Sequence, residues 1–168
     1  RDLGCPLIQI ETNAVVPLEQ ASPKEEWAAR TLRPRITRRL EEFLAPLHPR
    51  RLKKDSLGLR LASLQVADPD RVLAGLKVDR SVGRADAFRG GTSEAKRRLR
   101  EFIGRRLELY SGERNDPNAG AVSGMSPYLH FGQVSPLYIA LEILKTKSPA
   151  AGVYLEELIV RRELSLNF

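Results

Sequence analysis

Cysteine occurs once in this sequence, at position 5, so no disulfide can close within the chain and a cysteine-built metal site is excluded. A reducing compartment fits that usage. Histidine occurs twice, as His48 and His130, and with one thiol these offer no nucleophile and base pair of the kind hydrolases use. Tryptophan is confined to Trp27. No apolar run approaches the roughly 18–20 residues that a membrane-spanning helix needs. The amino end also lacks the charged, apolar and small-residue regions of a secretory signal. The expectation is a cytoplasmic protein, nuclear if the source is eukaryotic, with no membrane partner. No repeat of fixed period and no low-complexity tract stands out.

What the sequence has instead is positive charge. Lys and Arg total 28 against 21 Asp and Glu, a net charge of +7 and a pI near 9.9, which favours an anionic partner such as nucleic acid or a phosphate-bearing cofactor. The plainer reading is a solvated basic surface. With 42% hydrophobic and 29% charged residues in 168, there is enough apolar material for a core. The chain opens on Arg1 and stops at Phe168 within a helical pattern, and it reads as an internal piece of a longer protein.

Leu7, Ile8, Ile10, Val15 and Val16, interrupted by Thr12 and Asn13, predict one strand and an exit loop. Ser22, Pro23 and Glu25 then predict a helix start running toward Arg33. Pro34 interrupts it, and a second helical stretch follows from Arg35 to Leu44. Between His48 and Val82 the pattern is sparse, with a basic run at Arg50, Arg51, Lys53 and Lys54 in a surface loop and one helix start at Asp68-Pro69. Thr92 caps an amphipathic helix with Leu99, Phe102, Ile103, Leu107 and Tyr110 on its apolar face, closed by Ser111-Gly112. A further helix starts at Ser135-Pro136 with Leu137, Leu141 and Leu144 inward, and a last one begins near Ala150. The body is therefore mainly α.

Two places carry chemistry. Small residues from Gly120 to Ser126 let backbone amides approach a ligand, and Ser126-Pro127 opens a helical turn whose N–H groups favour an anion, a candidate diphosphate cradle. The alternative is an ordinary loop feeding a capped helix, with His130 packed and hydrogen-bonded behind it. In the terminal helix Tyr154, Glu157, Arg161 and Leu164 recur at three and four residues. A carboxylate and a guanidinium should meet on that face, with Leu155, Leu158 and Ile159 buried opposite. On a solvated surface such a pair is structural only.

The strings Arg-Asn-Asp-Pro-Asn from Arg114, Ser-Pro-Tyr-Leu-His-Phe-Gly-Gln from Ser126 and Glu-Glu-Leu-Ile-Val-Arg-Arg-Glu-Leu from Glu156, with Ala-Ala-Arg-Thr-Leu-Arg-Pro from Ala28, together resemble the class II cyclobutane pyrimidine dimer photolyases. They run in family order from about Asn13 to the end. The resemblance implies part of a helical FAD-binding domain, with a short strand and linker from a preceding α/β antenna domain. Residues 1–20 would end that α/β domain, residues 21–89 would be interdomain helices and linker, and residues 90–168 would be the amino-terminal half of the FAD-binding domain.

It also implies roles. Tyr110, the cradle Val122, Ser123, Gly124, Met125 and Ser126, and Tyr154 and Arg161 match cofactor contacts. Glu157 resembles the carboxylate that holds the flipped dimer, and Arg114 and Arg161 resemble DNA contacts. Val122 and Met125 depart from the hydroxyl and leucine of other photolyase classes. Val160 stands where relatives outside class II place a tryptophan that stacks on the dimer. Family contacts to the flavin ring and the electron-feeding tryptophans fall beyond Phe168. The implied activity of the full-length protein is that of a monomeric deoxyribodipyrimidine photo-lyase acting on DNA that contains pyrimidine dimers. Residues 1–168 alone are expected to hold FAD weakly or not at all and to be inactive. Two other readings stay open: a cryptochrome-like photoreceptor that keeps FAD without repair, and a cofactor-free helical DNA-binding module.

Overall fold

The computed structural model describes residues 4, 6–8, 10–48, 51–60, 62–83 and 85–168. They are helical, with no strand among the described residues. Among the described residues the strand expected before Pro17 does not form: Leu7, Ile8 and Ile10 are exposed, and an isolated strand has no ladder partner to satisfy its backbone. Cys5 and Arg50 lie outside the described residues. Two units divide the chain, one made of Arg1–Pro46 with Arg89–Phe168 and the other of Leu47–Phe88.

In the first unit, α1 (Leu18–Ala21) precedes α2 (Ala29–Phe43). The helix expected from Ser22 does not start there, because that stretch is tied into tertiary contacts instead. The Ser22 hydroxyl donates to Glu26 Oε1 at 2.8 Å, Arg35 Nε pairs with the same oxygen at 3.0 Å, and the Glu26 N–H donates to Asn167 Oδ1 at 2.7 Å. Pro34 does not end α2 either. A proline removes one N–H and crowds the carbonyl four residues back, but burial of Ala29, Leu32 and Ile36 along one face holds the helix through it.

The second unit contains α3 (Pro69–Ala74), started as the sequence predicts by Asp68, whose Oδ1 accepts the Arg71 N–H at 3.1 Å. Arg80 closes its far end by donating to the carbonyls of Leu73, Ala74 and Leu76. Val72 is half-buried and the other described residues of this unit, including Arg51, Lys53 and Lys54, are exposed.

The first unit resumes with α4 (Thr92–Arg105), which buries Ala95, Leu99 and Phe102 at positions i, i+4 and i+7. Gly91, at φ +109°, takes the cap position expected of Thr92. At Arg106 the backbone leaves helical geometry, so the predicted single helix becomes two, and α5 (Leu107–Glu113) brings Leu107 and Tyr110 inward. Then come α6 (Ser126–His130) and α7 (Pro136–Lys145). Ser135 caps α7, but its buried face is Pro136, Ile139, Ala140 and Ile143, while Leu144 is exposed. A helix apolar on most sides leaves its inward face undetermined by spacing.

The chain ends in α8 (Ala151–Leu155), a π-helical turn over Glu156–Arg161, and α9 (Arg162–Asn167). The wider turn rotates the side chains that follow it relative to an α-helix. Leu158, Ile159 and Val160 are buried in succession, and they join Leu32, Ile36, Leu99, Phe102, Met125, Tyr128 and Ile139 in one core. Among the described residues no helix is long and apolar enough to cross a membrane, and no cluster of His, Cys, Asp and Glu is arranged to hold a metal ion.

Candidate functional site

A cleft of about 540 Å³ opens between α5, α6, the π turn, α9 and the segment around Asn13. Tyr110, Ser123, Met125, Ser126, Tyr154 and Glu157 line it, so residues as far apart as 110 and 157 in sequence converge on one space. Its inner wall is aromatic. Phe102, Tyr110 and Tyr154 meet with ring centroids 5.0–5.8 Å apart, two of the three pairs edge to face. The Tyr154 hydroxyl lies 3.0 Å from Ser123 Oγ and joins α8 to the loop of the candidate cradle.

Burial pushes the Tyr154 phenol up to about 12, partly offset by the Ser123 hydrogen bond. Burial also raises Tyr110, the charge of Glu157 raises it further, and Arg114 opposes both. Glu157 and Arg114 are thus within electrostatic reach of the same phenol. Arg114 itself caps α5 and donates from Nη1 to the Ser111 carbonyl at 2.7 Å.

The cradle takes its shape from Gly124. Its φ of +67° turns the chain between Ser123 and Met125, a conformation that a side chain would strain. Met125 is buried, Ser126 is exposed on the cleft, and Val122 is exposed and does not line it. Because α6 has only five residues its dipole is small. The Ser123 hydroxyl and the turned backbone are the groups the loop offers to a ligand.

The string from Ser126 to Gln133 divides its work. Leu129 and His130 line the cleft, whereas Tyr128 is buried and its hydroxyl donates to the Arg89 carbonyl at 2.8 Å. Gln133 Oε1 accepts the Gly91 N–H at 2.8 Å, so the same string also fixes the turn that starts α4. His130 is exposed beside Phe131, not packed behind the cradle as expected.

The π turn separates residues that the sequence places together. Glu157 faces the cleft, while Glu156 turns to Arg33, which donates from Nη2 at 2.7 Å, and to Arg161 Nε at 3.5 Å. The Arg33 hydrogen bonds hold the Glu156 carboxyl below its usual range, with lesser help from Arg161. The expected pairing of Glu157 with Arg161 is therefore replaced by Glu156 with Arg161. Arg161 is exposed and does not line the cleft, and Arg162 does. Glu157 and Arg162 are five residues apart, one π turn, a spacing that α-helical periodicity passes over.

Asn13, Ser165 and Leu166, with Leu158 and Arg162 from the string that begins at Glu156, complete the lining, and the sequence alone gives none of the five a role at a site. The contact from Asn13 to the end of the chain spans about 150 residues, and no local pattern encodes it.

No family model matches the chain. Relatives that carry the name deoxyribodipyrimidine photo-lyase nevertheless cover nearly all of it. The one from Methanothermobacter thermautotrophicus is 47% identical over 167 residues, which are 99% of this chain and 36% of the relative. The one from Potorous tridactylus is 37% identical over 166 residues, 97% of this chain and 31% of the relative. That of Arabidopsis thaliana is 36% identical over 168 residues, 95% of this chain and 34% of the relative. The chain spans about a third of the length of the curated relatives it matches.

Proposed function

We propose that the full-length protein is a light-driven, FAD-dependent enzyme of the class II photolyase kind that splits cyclobutane pyrimidine dimers in DNA, and that this cleft is one wall of its flavin and lesion site. The observation that carries the reading is the convergence of Tyr110, Ser123, Met125, Ser126, Tyr154 and Glu157 on one cleft, in a chain 47% identical to a protein named for that activity.

The donor set fits a flavin nucleotide. Aromatic rings and Met125 give an apolar wall for a flat ring system, and the Ser123 hydroxyl and the Gly124 turn give polar groups for its ribityl and phosphate parts. Arg162, facing the cleft, supplies the cation that an anionic cofactor needs. The chemistry FAD supplies when bound is light-driven transfer of one electron to the lesion and its return.

The chain's own residues bind and orient. The Glu157 carboxylate, with no hydrogen-bond partner among the described residues, accepts from the flipped pyrimidine. Arg114 and the exposed Arg161 contact the DNA backbone, and the overall charge of +7 draws the duplex in. Packing of Tyr110 and Tyr154 against Phe102 excludes water from the inner end of the cleft.

Full-length protein purified in the dark should show flavin absorption bands and should restore dimer-containing DNA under blue light only. A flavin-free, inert full-length protein that still binds DNA would sink this reading in favour of a cofactor-free DNA-binding module.

A further inference from the structure

One side of the cleft is built from the segment before α1, through Asn13. Its backbone is held from α9 on both sides. Arg162 Nε donates to the Asn13 carbonyl at 3.3 Å, and Glu163 Oε1 accepts the N–H groups of Val15 at 2.7 Å and Val16 at 3.2 Å. Glu163 is 1% exposed, and its second oxygen is buried without a partner. Desolvating a carboxyl with one oxygen unpaired costs free energy. In return a segment with no regular structure of its own is fixed where it meets the cleft. The Asn13 side-chain amide has no hydrogen-bond partner among the described residues, and neither has the Glu157 carboxylate on the same cleft.

An amide offers donors and an acceptor, whereas a carboxylate offers acceptors only. Together they complement an imide edge, in which an N–H stands beside a carbonyl. We propose that Asn13 contacts the bound ligand through such an edge, its carbonyl taking the Asn13 N–H and its N–H donating to Glu157, and that Glu163 is the positioning residue that sets Asn13 there. An imide edge occurs both on the flavin ring and on a pyrimidine of the lesion. The inference rests on the flavin and lesion reading above.

The test uses full-length protein carrying Asn13→Ala, Asn13→Asp, Glu163→Gln, Glu163→Ala, and Asn13→Ala with Glu163→Ala. Flavin content and FAD affinity are read by absorbance and fluorescence, dark binding of dimer-containing against undamaged DNA by anisotropy, and fold by circular dichroism. Asn13→Ala should weaken one ligand by about tenfold, the loss of one net hydrogen bond, with an unchanged melting temperature. Weaker FAD binding assigns the edge to the flavin; lost preference for damaged DNA at full flavin content assigns it to the pyrimidine. Glu163→Gln, which keeps an acceptor for Val15 and Val16, should bind as the unaltered protein does. Glu163→Ala should reproduce the Asn13→Ala defect, and the double variant should bind no worse than Asn13→Ala alone, a non-additivity that general destabilisation would not produce. If both Asn13 variants bind FAD and damaged DNA within twofold of a flavin-bearing parent, the inference is wrong while the function stands. A parent protein without flavin or preference for damaged DNA would overturn both.

Discussion

The hydroxyl of Tyr154 and the hydroxyl of Ser123 meet at 3.0 Å, and this one contact joins the helix that carries Glu157 to the loop that forms the candidate cradle. The phenol is buried, so its polar end must be paired. Tyr154→Phe keeps the ring packing and removes only the pairing. It should lower stability by about 1 kcal/mol in a urea titration and loosen flavin binding by freeing Ser123. An unchanged midpoint would show that solvent already satisfies both hydroxyls.

Phe102 tests the aromatic wall from behind. It is fully buried against both Tyr110 and Tyr154, and truncation would leave a cavity beneath both rings. Phe102→Ala should cost about 3–5 kcal/mol, and Phe102→Leu markedly less. Equal losses for the two would mean that the site collapses around either.

Pro34 lies inside α2, where it leaves the Arg30 carbonyl without its helical donor. Pro34→Ala restores that bond and should raise stability by about 1–3 kcal/mol. A loss of stability would show that the helix is bent around the ring in a way the packing requires.

Local chemistry made much of this fold readable before the structure, and tertiary chemistry hid the rest. Asp68-Pro69 and Ser135-Pro136 start helices as their side chains dictate, because a cap acts within three residues. Ser22-Pro23 carries the same signal and starts none, since Glu26 there is claimed by Arg35 and Asn167 from elsewhere in the chain. At the site, Ser123, Met125, Ser126, Tyr154 and Glu157 were named from the sequence and line one cleft. A π turn leaves no mark in apolar spacing, which points to Arg161 where the structure brings Arg162 to the cleft, and no local pattern points to Asn13, whose neighbours in space lie at the far end of the chain.

Glu163 gives the pH dependence. Burial pushes its carboxyl up to about 7 from an ordinary 4.5, against the pull of the Val15 and Val16 N–H groups. Glu11 adds to the rise and Arg162 opposes it. The folded state therefore binds a proton that the unfolded chain has lost between those two values, and stability falls as pH rises through that window. The stabilisation is complete below about 4.5 and gone above about 7, a change on the order of 3 kcal/mol. Glu163→Gln should flatten the profile between pH 5 and 7 in chemical denaturation. A slope that survives the substitution would place the titrating group elsewhere.

Glu157 separates function from stability. It lines the cleft and is half-buried, and its carboxylate has no hydrogen-bond partner among the described residues, so the fold does not need that side chain. Glu157→Ala should change stability by less than about 0.5 kcal/mol; flavin content stays intact if the carboxylate serves the pyrimidine and falls if it takes the imide N–H of the flavin. If the carboxylate holds the flipped pyrimidine, its removal costs one charge-assisted hydrogen bond, about 1.5–3 kcal/mol, or about ten- to hundredfold in the preference for damaged over undamaged DNA. Glu157→Gln keeps one acceptor and should lose less. Repair at the unaltered rate by Glu157→Ala would remove the carboxylate from the mechanism and leave the cleft as a cofactor site alone.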